Sequence, residues 1–367
     1  MSKLYETYQL GTYRLQNHVA MAPMTRARNA NLIANEQTAL YYRQRAATGL
    51  IVSEGTPVSP EGQGYIAVPG IWSDEQVTGW KLVTNAVHEE GGVIFAQIWH
   101  VGRMSHTSLQ PEHGAPVSSS NKAPAKSPKT MAFINNEDGT QGFADPSEPR
   151  ALETDEVARV TQDFVKAAKN AIAAGFDGIE IHAANGYLFE QFINPVINDR
   201  CDQYGGTLEN RIRFLLETVD AVSDAIGPDK VGIRLAPNNR VFDMPAYPES
   251  EATYLVIAQE LSKRHLAYVH LNDNFSSGSS DISEAYLREF RKAYTGTLIL
   301  AGRMTKERAE SLIDEGVVDM AAFGQPFIAN PDLVERLQKG LPLATPNRAT
   351  YYGGGSEGYT DYPKASI

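Results

Sequence analysis

Three hydrogen-bonding side chains, His182, Asn185 and Tyr187, crowd the end of one short segment, Phe176-Asp-Gly-Ile-Glu-Ile-His182-Ala-Ala-Asn185-Gly-Tyr187. An apolar strand pattern runs directly into an imidazole, an amide and a phenol. His182 and Asn185 can grip a polar oxygen, and Tyr187 can release a proton. Taken alone, His182 reads equally well as a satisfied pocket histidine; beside Asn185 and Tyr187 on one turn, the binding reading gains. Two more polar residues interrupt apolar runs, Gln97 in Val93-Ile-Phe-Ala-Gln97-Ile-Trp99 and Arg234 in Val231-Gly-Ile-Arg234-Leu235. A polar group there needs a partner, and for Arg234 a structural ion pair is the competing reading. Metal and nucleophile chemistry are poorly represented. His-Glu-x-x-His, His-x-His and Gly-x-Ser-x-Gly are absent, and the single cysteine, Cys201, has no evident His partner. No metal site is expected. Many hydrogen-bond donors with few nucleophiles suit an organic cofactor that carries the reactivity while the protein orients it.

Such residues need a frame. Eight apolar runs of strand length start near His18, Leu50, Val93, Gly178, Val231, Tyr268, Leu298 and Met320. Helical patterns lie between and after them: Glu36 to Gly49, Glu75 to Glu89 with Asp74 placed to cap it, Thr154 to Ala174 and Asn210 to Ile226. The others are Ser250 to Lys263, Asp281 to Ala293, Thr305 to Glu315 and Pro331 to Gly340. The alternation predicts an α/β fold with a parallel sheet, closed as a single (β/α)8 TIM barrel over residues 1–367. An open doubly wound sheet is the rival. It usually carries Gly-x-Gly-x-x-Gly after its first strand, where this chain has Pro23-Met24-Thr25-Arg26. Residues 1–15 precede the first strand and are predicted to form an N-terminal β-hairpin cap on the barrel floor. Residues 104–150 form a long polar insertion after the third strand.

On that frame polar groups collect at the C-terminal strand ends, the catalytic face of a barrel. Thr25 follows the first strand, Ser53 and Gly55 the second, and Gln97, Trp99 and His100 end the third. His182 and Asn185 follow the fourth, and Arg234 sits on the fifth. Asn272 and Phe275 follow the sixth, Gly302 and Arg303 the seventh, and Gly324 and Gln325 the eighth. Trp99 and Phe275 could be packing. Gly302 and Gly324 could be turn glycines, but both precede helices, and their amides could cradle a phosphate.

The chain has 367 residues, 42% of them hydrophobic, ample for a large core. A formal charge of -11 and a pI near 5.3 argue against a nucleic-acid partner. The N-terminus is too polar for a signal peptide, and no apolar run approaches the ~18 residues of a membrane span. A cytoplasmic protein, monomer or homodimer, with no membrane partner is the simplest expectation.

Ordered motifs complete the reading: Ala22-Pro23-Met24-Thr25-Arg26, Ser53-Glu-Gly55, Gln97-Ile-Trp99-His-Val-Gly-Arg103, Glu180-Ile-His182-Ala-Ala-Asn185-Gly-Tyr187, Asp202-Gln-Tyr-Gly-Gly206, Phe323-Gly324 and Asn330-Pro-Asp-Leu333. In this order, over nearly the whole chain, they resemble the old yellow enzymes. These are FMN-dependent ene-reductases that include the bacterial N-ethylmaleimide and pentaerythritol tetranitrate reductases. The resemblance implies non-covalent FMN at the barrel mouth and NADPH or NADH as reductant. It implies electron-poor alkenes, such as α,β-unsaturated carbonyls or nitroalkenes, as substrates, with hydride passing from flavin N5 to the β-carbon. Thr25 would then bond the flavin carbonyl beside N5. Gln97 and Arg234 would face the pyrimidine edge, and Pro23, Met24 and Gly55 would pack on the ring. His182 and Asn185 would hold the substrate oxygen, Tyr187 would protonate the other carbon, and Trp99, Phe275 and Tyr352 would wall the pocket. Relatives carry His or Asn where Asn185 stands; a neutral Asn implies oxygen binding less dependent on acid pH.

One departure stands out. The family usually has Arg directly after the eighth-strand glycine, on the FMN phosphate; here Gln325 stands there, while Arg303 follows Gly302 in the neighbouring loop. The expectation is that the charge partner has moved to Arg303, the alternative being a solvated Arg303. Reduction of nitrate esters or nitroaromatics, an idle flavin-binding barrel, and a metal-dependent barrel hydrolase remain as functional alternatives.

Overall fold

A computed structural model describes residues 2–275, 278 and 280–365. Eight parallel strands close on themselves: β1 Val19–Met21, β2 Leu50–Val52, β3 Ile94–Trp99, β4 Gly178–Ala183, β5 Val231–Leu235, β6 Tyr268–Asn272, β7 Leu298–Ala301 and β8 Met320–Phe323. Pairing of β8 with β1 completes the ring, so the expected TIM barrel is the observed fold. Around it run α1 Glu36–Arg43, α2 Asp74–His88, α3 Thr154–Ala173, α4 Leu208–Ile226, α5 Ser250–Ser262, α6 Glu284–Ala293, α7 Lys306–Asp314 and α8 Leu333–Lys339.

Strand alternation divides the interior into two cores. On β4, Ile179, Ile181 and Ala183 face outward and pack with Val157, Val160 and Phe164 of α3. Glu180 and His182, one step out of phase, share the opposite face. The lower lumen is apolar. The hairpin Tyr8–Leu10/Tyr13–Leu15 inserts Leu10 and Leu15 among Ala20, Leu50, Phe95, Tyr268, Ile299 and Met320. This is the predicted cap. The insertion is only partly regular. Val117–Ser118 pairs with Arg150–Ala151, and a hairpin, Ala132–Asn135/Gln141–Ala144, stands over the mouth.

Helix ends differ from the sequence pattern where caps decide them. Asp74 lies in the first turn of α2, and Ser73 is the cap. The Ser73 hydroxyl accepts from the Gln76 N–H at 3.3 Å while the Gln76 side chain accepts from the Ser73 N–H at 3.1 Å. α6 starts three residues later than predicted, at Glu284, because Ser283 accepts the Tyr286 N–H. α1 stops at Arg43, well short of Gly49. Two short helices escaped the pattern, Leu188–Ile193 after β4 and Gln325–Ala329 after β8.

Candidate active site

A cavity of about 700 Å³ opens at the C-terminal strand ends, within the range of small-molecule pockets. Pro23, Met24 and Thr25 line it from the loop after β1, Asn185 and Tyr187 from the turn after β4, and Gln325 and Tyr352 from late in the chain. The β4 turn is shaped by two consecutive positive-φ residues, Asn185 (φ 58°) and Gly186 (φ 79°). Asn tolerates this left-handed region better than most residues.

Hydrogen bonds fix what each polar group offers. His182 Nδ1 accepts the Ala184 N–H at 3.3 Å, which leaves the proton on Nε2. Burial, then the positive charge of Arg234, push this imidazole well below its ordinary pKa, so it is a neutral donor. Asn185 Oδ1 accepts from Asn272 Nδ2 at 2.9 Å and from Asn274 Nδ2 at 3.0 Å. Its own amide hydrogens remain to be offered. Burial, followed by the neighbouring Tyr65, raises the Tyr187 phenol well above its usual value, so it keeps its proton.

Beneath lies a buried polar layer. Gln97 Nε2 donates to Glu180 Oε1 at 2.8 Å, and His270 Nδ1 contacts Glu180 Oε2 at 2.8 Å. Burial opposes charge on Glu180, yet His270, Arg234 and Gln97 hold it below the usual carboxylate range. Burial pulls His270 down. Arg234 already supplies the positive charge, so we assign an ionised Glu180 and a neutral His270 that donates to it. Arg234 Nη2 donates to Asn272 Oδ1 at 2.6 Å, while its buried Nε has no partner among the described residues. A direct structural ion pair for Arg234 is absent among the described residues.

Several expected contacts fall elsewhere. Trp99 is only 2% exposed and lies behind the wall, stacked 5.9 Å from both Tyr65 and His182 and edge-on to Tyr187 at 5.1 Å. Gly55 serves that indole: a Cβ there would sit 2.6 Å from Trp99 ring atoms. The absence of a side chain at Gly55 is thus required by the indole. Phe275 is not a cavity wall. Its ring lies under the guanidinium groups of Arg303, at 4.4 Å, and Arg308, at 5.9 Å. Gly302 (φ 127°) is demanded by packing, since a Cβ would fall 2.3 Å from the Asp273 carbonyl, whereas at Gly324 the nearest atom would be 3.7 Å away. Arg303 is exposed and forms no ion pair among the described residues.

Tyr65, Phe242, Asn274 and Arg348 also line the cavity and were not foreseen. Tyr65 neighbours Tyr187 and stacks 6.3 Å from Tyr352, and Phe242 (φ 58°) lies 5.3 Å from the Tyr187 ring. Tyr352 is braced by Phe133 and Phe143 of the insertion hairpin at 6.0 and 5.6 Å. Its segment is bound to the β1 loop: Arg26 donates to the Tyr351, Thr350 and Gly358 carbonyls, and Arg28 to that of Thr350 at 2.6 Å.

A closed barrel with this cavity at the strand ends defines a class, and the match to known proteins agrees. Residues 3–344 match the NADH:flavin oxidoreductase / NADH oxidase family, and the chain belongs to it, among the old yellow enzymes. It is therefore an NAD(P)H-dependent flavin oxidoreductase with FMN as cofactor. A solved structure of morphinone reductase in complex with tetrahydroNAD is 45% identical, with a TM-score of 0.93 over 99% of this chain and 98% of that one. The old yellow enzyme homologue from Zymomonas mobilis is 38% identical, with a TM-score of 0.91 over 99% of each chain. The 12-oxophytodienoate reductase 2 of Arabidopsis thaliana is 40% identical over 365 residues, 98% of this chain and 95% of the relative. No helix among the described residues is long and apolar enough to cross a membrane.

Proposed function

We propose that this enzyme reduces the carbon–carbon double bond of electron-poor alkenes, α,β-unsaturated carbonyls or nitroalkenes. The carrying observation is a pair of neutral donors on one turn, His182 Nε2–H and the Asn185 amide, each oriented by a bond on its far side. They would grip the carbonyl or nitro oxygen and stabilise the negative charge that grows on it. When bound, FMN supplies the hydride, taken from NADPH or NADH, to the β-carbon. Tyr187, protonated and on the same wall, would deliver the proton to the neighbouring carbon. Relatives named for morphinone and 12-oxophytodienoate support a substrate carrying a carbonyl.

The residues present fit FMN. Pro23, Met24 and Thr25 line one side of the cavity, and the buried Arg234 keeps an unpartnered Nε, a donor and fixed cation suited to the anionic edge of a reduced ring. Gln97 would support that edge while anchored on Glu180. For the phosphate we keep the open face of Gly324, Gln325, the Gly302 turn and Arg303, whose guanidinium lacks a carboxylate partner among the described residues. Arg348, across from Gln325 in the cavity, is the competing cation. Tyr352, with Tyr65, would wall the substrate.

The test is anaerobic absorbance of the purified holoenzyme. NADPH or NADH should bleach its flavin bands, and a cyclic enone should restore them. Flavin that neither nucleotide bleaches would sink the proposal. Parallel turnover of a nitrate ester separates alkene from nitro-group reduction.

A further inference from the structure

Three amides form a polarised line behind the donor pair. Arg234 Nη2 donates to Asn272 Oδ1 at 2.6 Å, and Asn272 Nδ2 donates to Asn274 Oδ1. Asn274 Nδ2 donates to Asn239 Oδ1 at 2.9 Å, and Asn239 Nδ2 donates to both carboxylate oxygens of Glu190, at 3.0 and 3.2 Å. The line starts at a cation that can only donate and ends at a carboxylate that, when ionised, can only accept. Asn185 branches from it, its Oδ1 occupied by Asn272 and Asn274.

We infer that Glu190 is a positioning residue whose carboxylate, acting through Asn239 and Asn274, holds Asn185 with its amide hydrogens toward the substrate oxygen. The inference rests on the oxygen-clamp reading above and adds to it a control point behind the turn. Glu190 lies on the short helix Leu188–Ile193, 4% exposed, and its Oε2 also accepts the Gly186 N–H at 2.7 Å. The groups facing it are Arg240, Tyr247 and Tyr254, which line a small cavity against it; the buried hydroxyls of Tyr247 and Tyr254 have no hydrogen-bond partner among the described residues. Val241 N–H donates to Asn239 Oδ1 at 2.9 Å and reinforces the same polarity.

Burial raises Glu190 to about 7, against the bonds from Gly186 and Asn239. Protonation turns an acceptor-only terminus into a donor and loosens the line. A non-reducible carbonyl ligand without ionisable groups, such as a saturated cyclic ketone, reports the clamp through its perturbation of the flavin spectrum. In wild-type holoenzyme its affinity should rise about threefold to tenfold as pH increases from 6 to 8, the worth of one net hydrogen bond. In Glu190→Gln, where an amide N–H would face the Asn239 donor, affinity should be low and flat with pH. Asn239→Ala, which leaves the Glu190–Gly186 bond intact, should do the same, with an unchanged melting temperature and flavin content showing that either variant is folded. Wild-type affinity and pH profile in either folded variant overturns the inference. A wild type whose spectrum no carbonyl ligand perturbs overturns the clamp reading and this inference with it.

Discussion

Tyr187 is the residue on which the two half-reactions should part. If it only protonates carbon, Tyr187→Phe should slow alkene reduction by about 100-fold or more, the usual worth of a positioned acid, and leave flavin reduction by NADPH intact. Stopped-flow measurement of both halves decides it, and equal losses would count against the role. Since burial and Tyr65 hold the phenol above its ordinary ~10, alkene reduction should show no alkaline loss from this group below that pH. Arg303 makes a second residue-scale prediction. If it holds the phosphate, Arg303→Ala should weaken FMN binding by roughly 10-fold or more, as for a lost charged hydrogen bond, read from the fluorescence of released flavin. Unchanged affinity would favour Arg348. The donor trio was legible because a period-two strand carries His182 straight to the turn. Gln97 and Arg234 were legible as polar interruptions of apolar runs. Glu190 was not, because every residue of its six-residue helix is buried and no amphipathic stripe marks it.

At the scale of elements, the second loop and the third strand meet at one close contact. Gly55→Ala would drive a methyl into the Trp99 indole, itself stacked between Tyr65 and His182. Overpacking of this kind costs about 1–3 kcal/mol, so the melting temperature should fall and carbonyl ligands should bind less well. An unchanged melt would mean that the indole has room to move. The eight β/α units could be read from hydrophobic rhythm, because parallel strands buried on both faces are near-continuous apolar runs. Tyr65 could not. It reaches the cavity by bridging to Phe133, far along the insertion. Phe275 reads from sequence as a pocket aromatic, and its ring lies under two arginines. Such outcomes depend on neighbours that strand and helix periods do not encode.

For the whole molecule, the insertion is pinned to the barrel by charge. Glu61 faces His100 at 3.6 Å, Arg150 at 3.9 Å and Arg159 at 2.8 Å, joining the β2 loop, β3, the insertion exit and α3. Burial opposes its ionisation, but the bonds and charges of His100 and Arg159 win and hold it at about 2. A carboxylate depressed in the folded state adds stability above its unfolded pKa of ~4.5, and that stability is lost as pH falls toward 2. With half-exposed arginines as partners, the effect should be on the order of 1–2 kcal/mol. Chemical denaturation at pH 7 and pH 3 should show that difference in wild type and a smaller one in Glu61→Gln. Equal pH dependence in both would assign the acid sensitivity elsewhere.

Arg26 reaches the carbonyl of Tyr351 across 325 residues of chain. A pocket wall secured in this way is completed only after all eight strands have been made. While the ribosome still holds residues 351–359, the barrel strands can pair, but Tyr352 and its neighbours have not reached the mouth. The nascent chain therefore exposes Arg26, Arg28 and Tyr41 without their later partner Tyr359. A chain cut short before Tyr351 would be a barrel with an unfinished entrance.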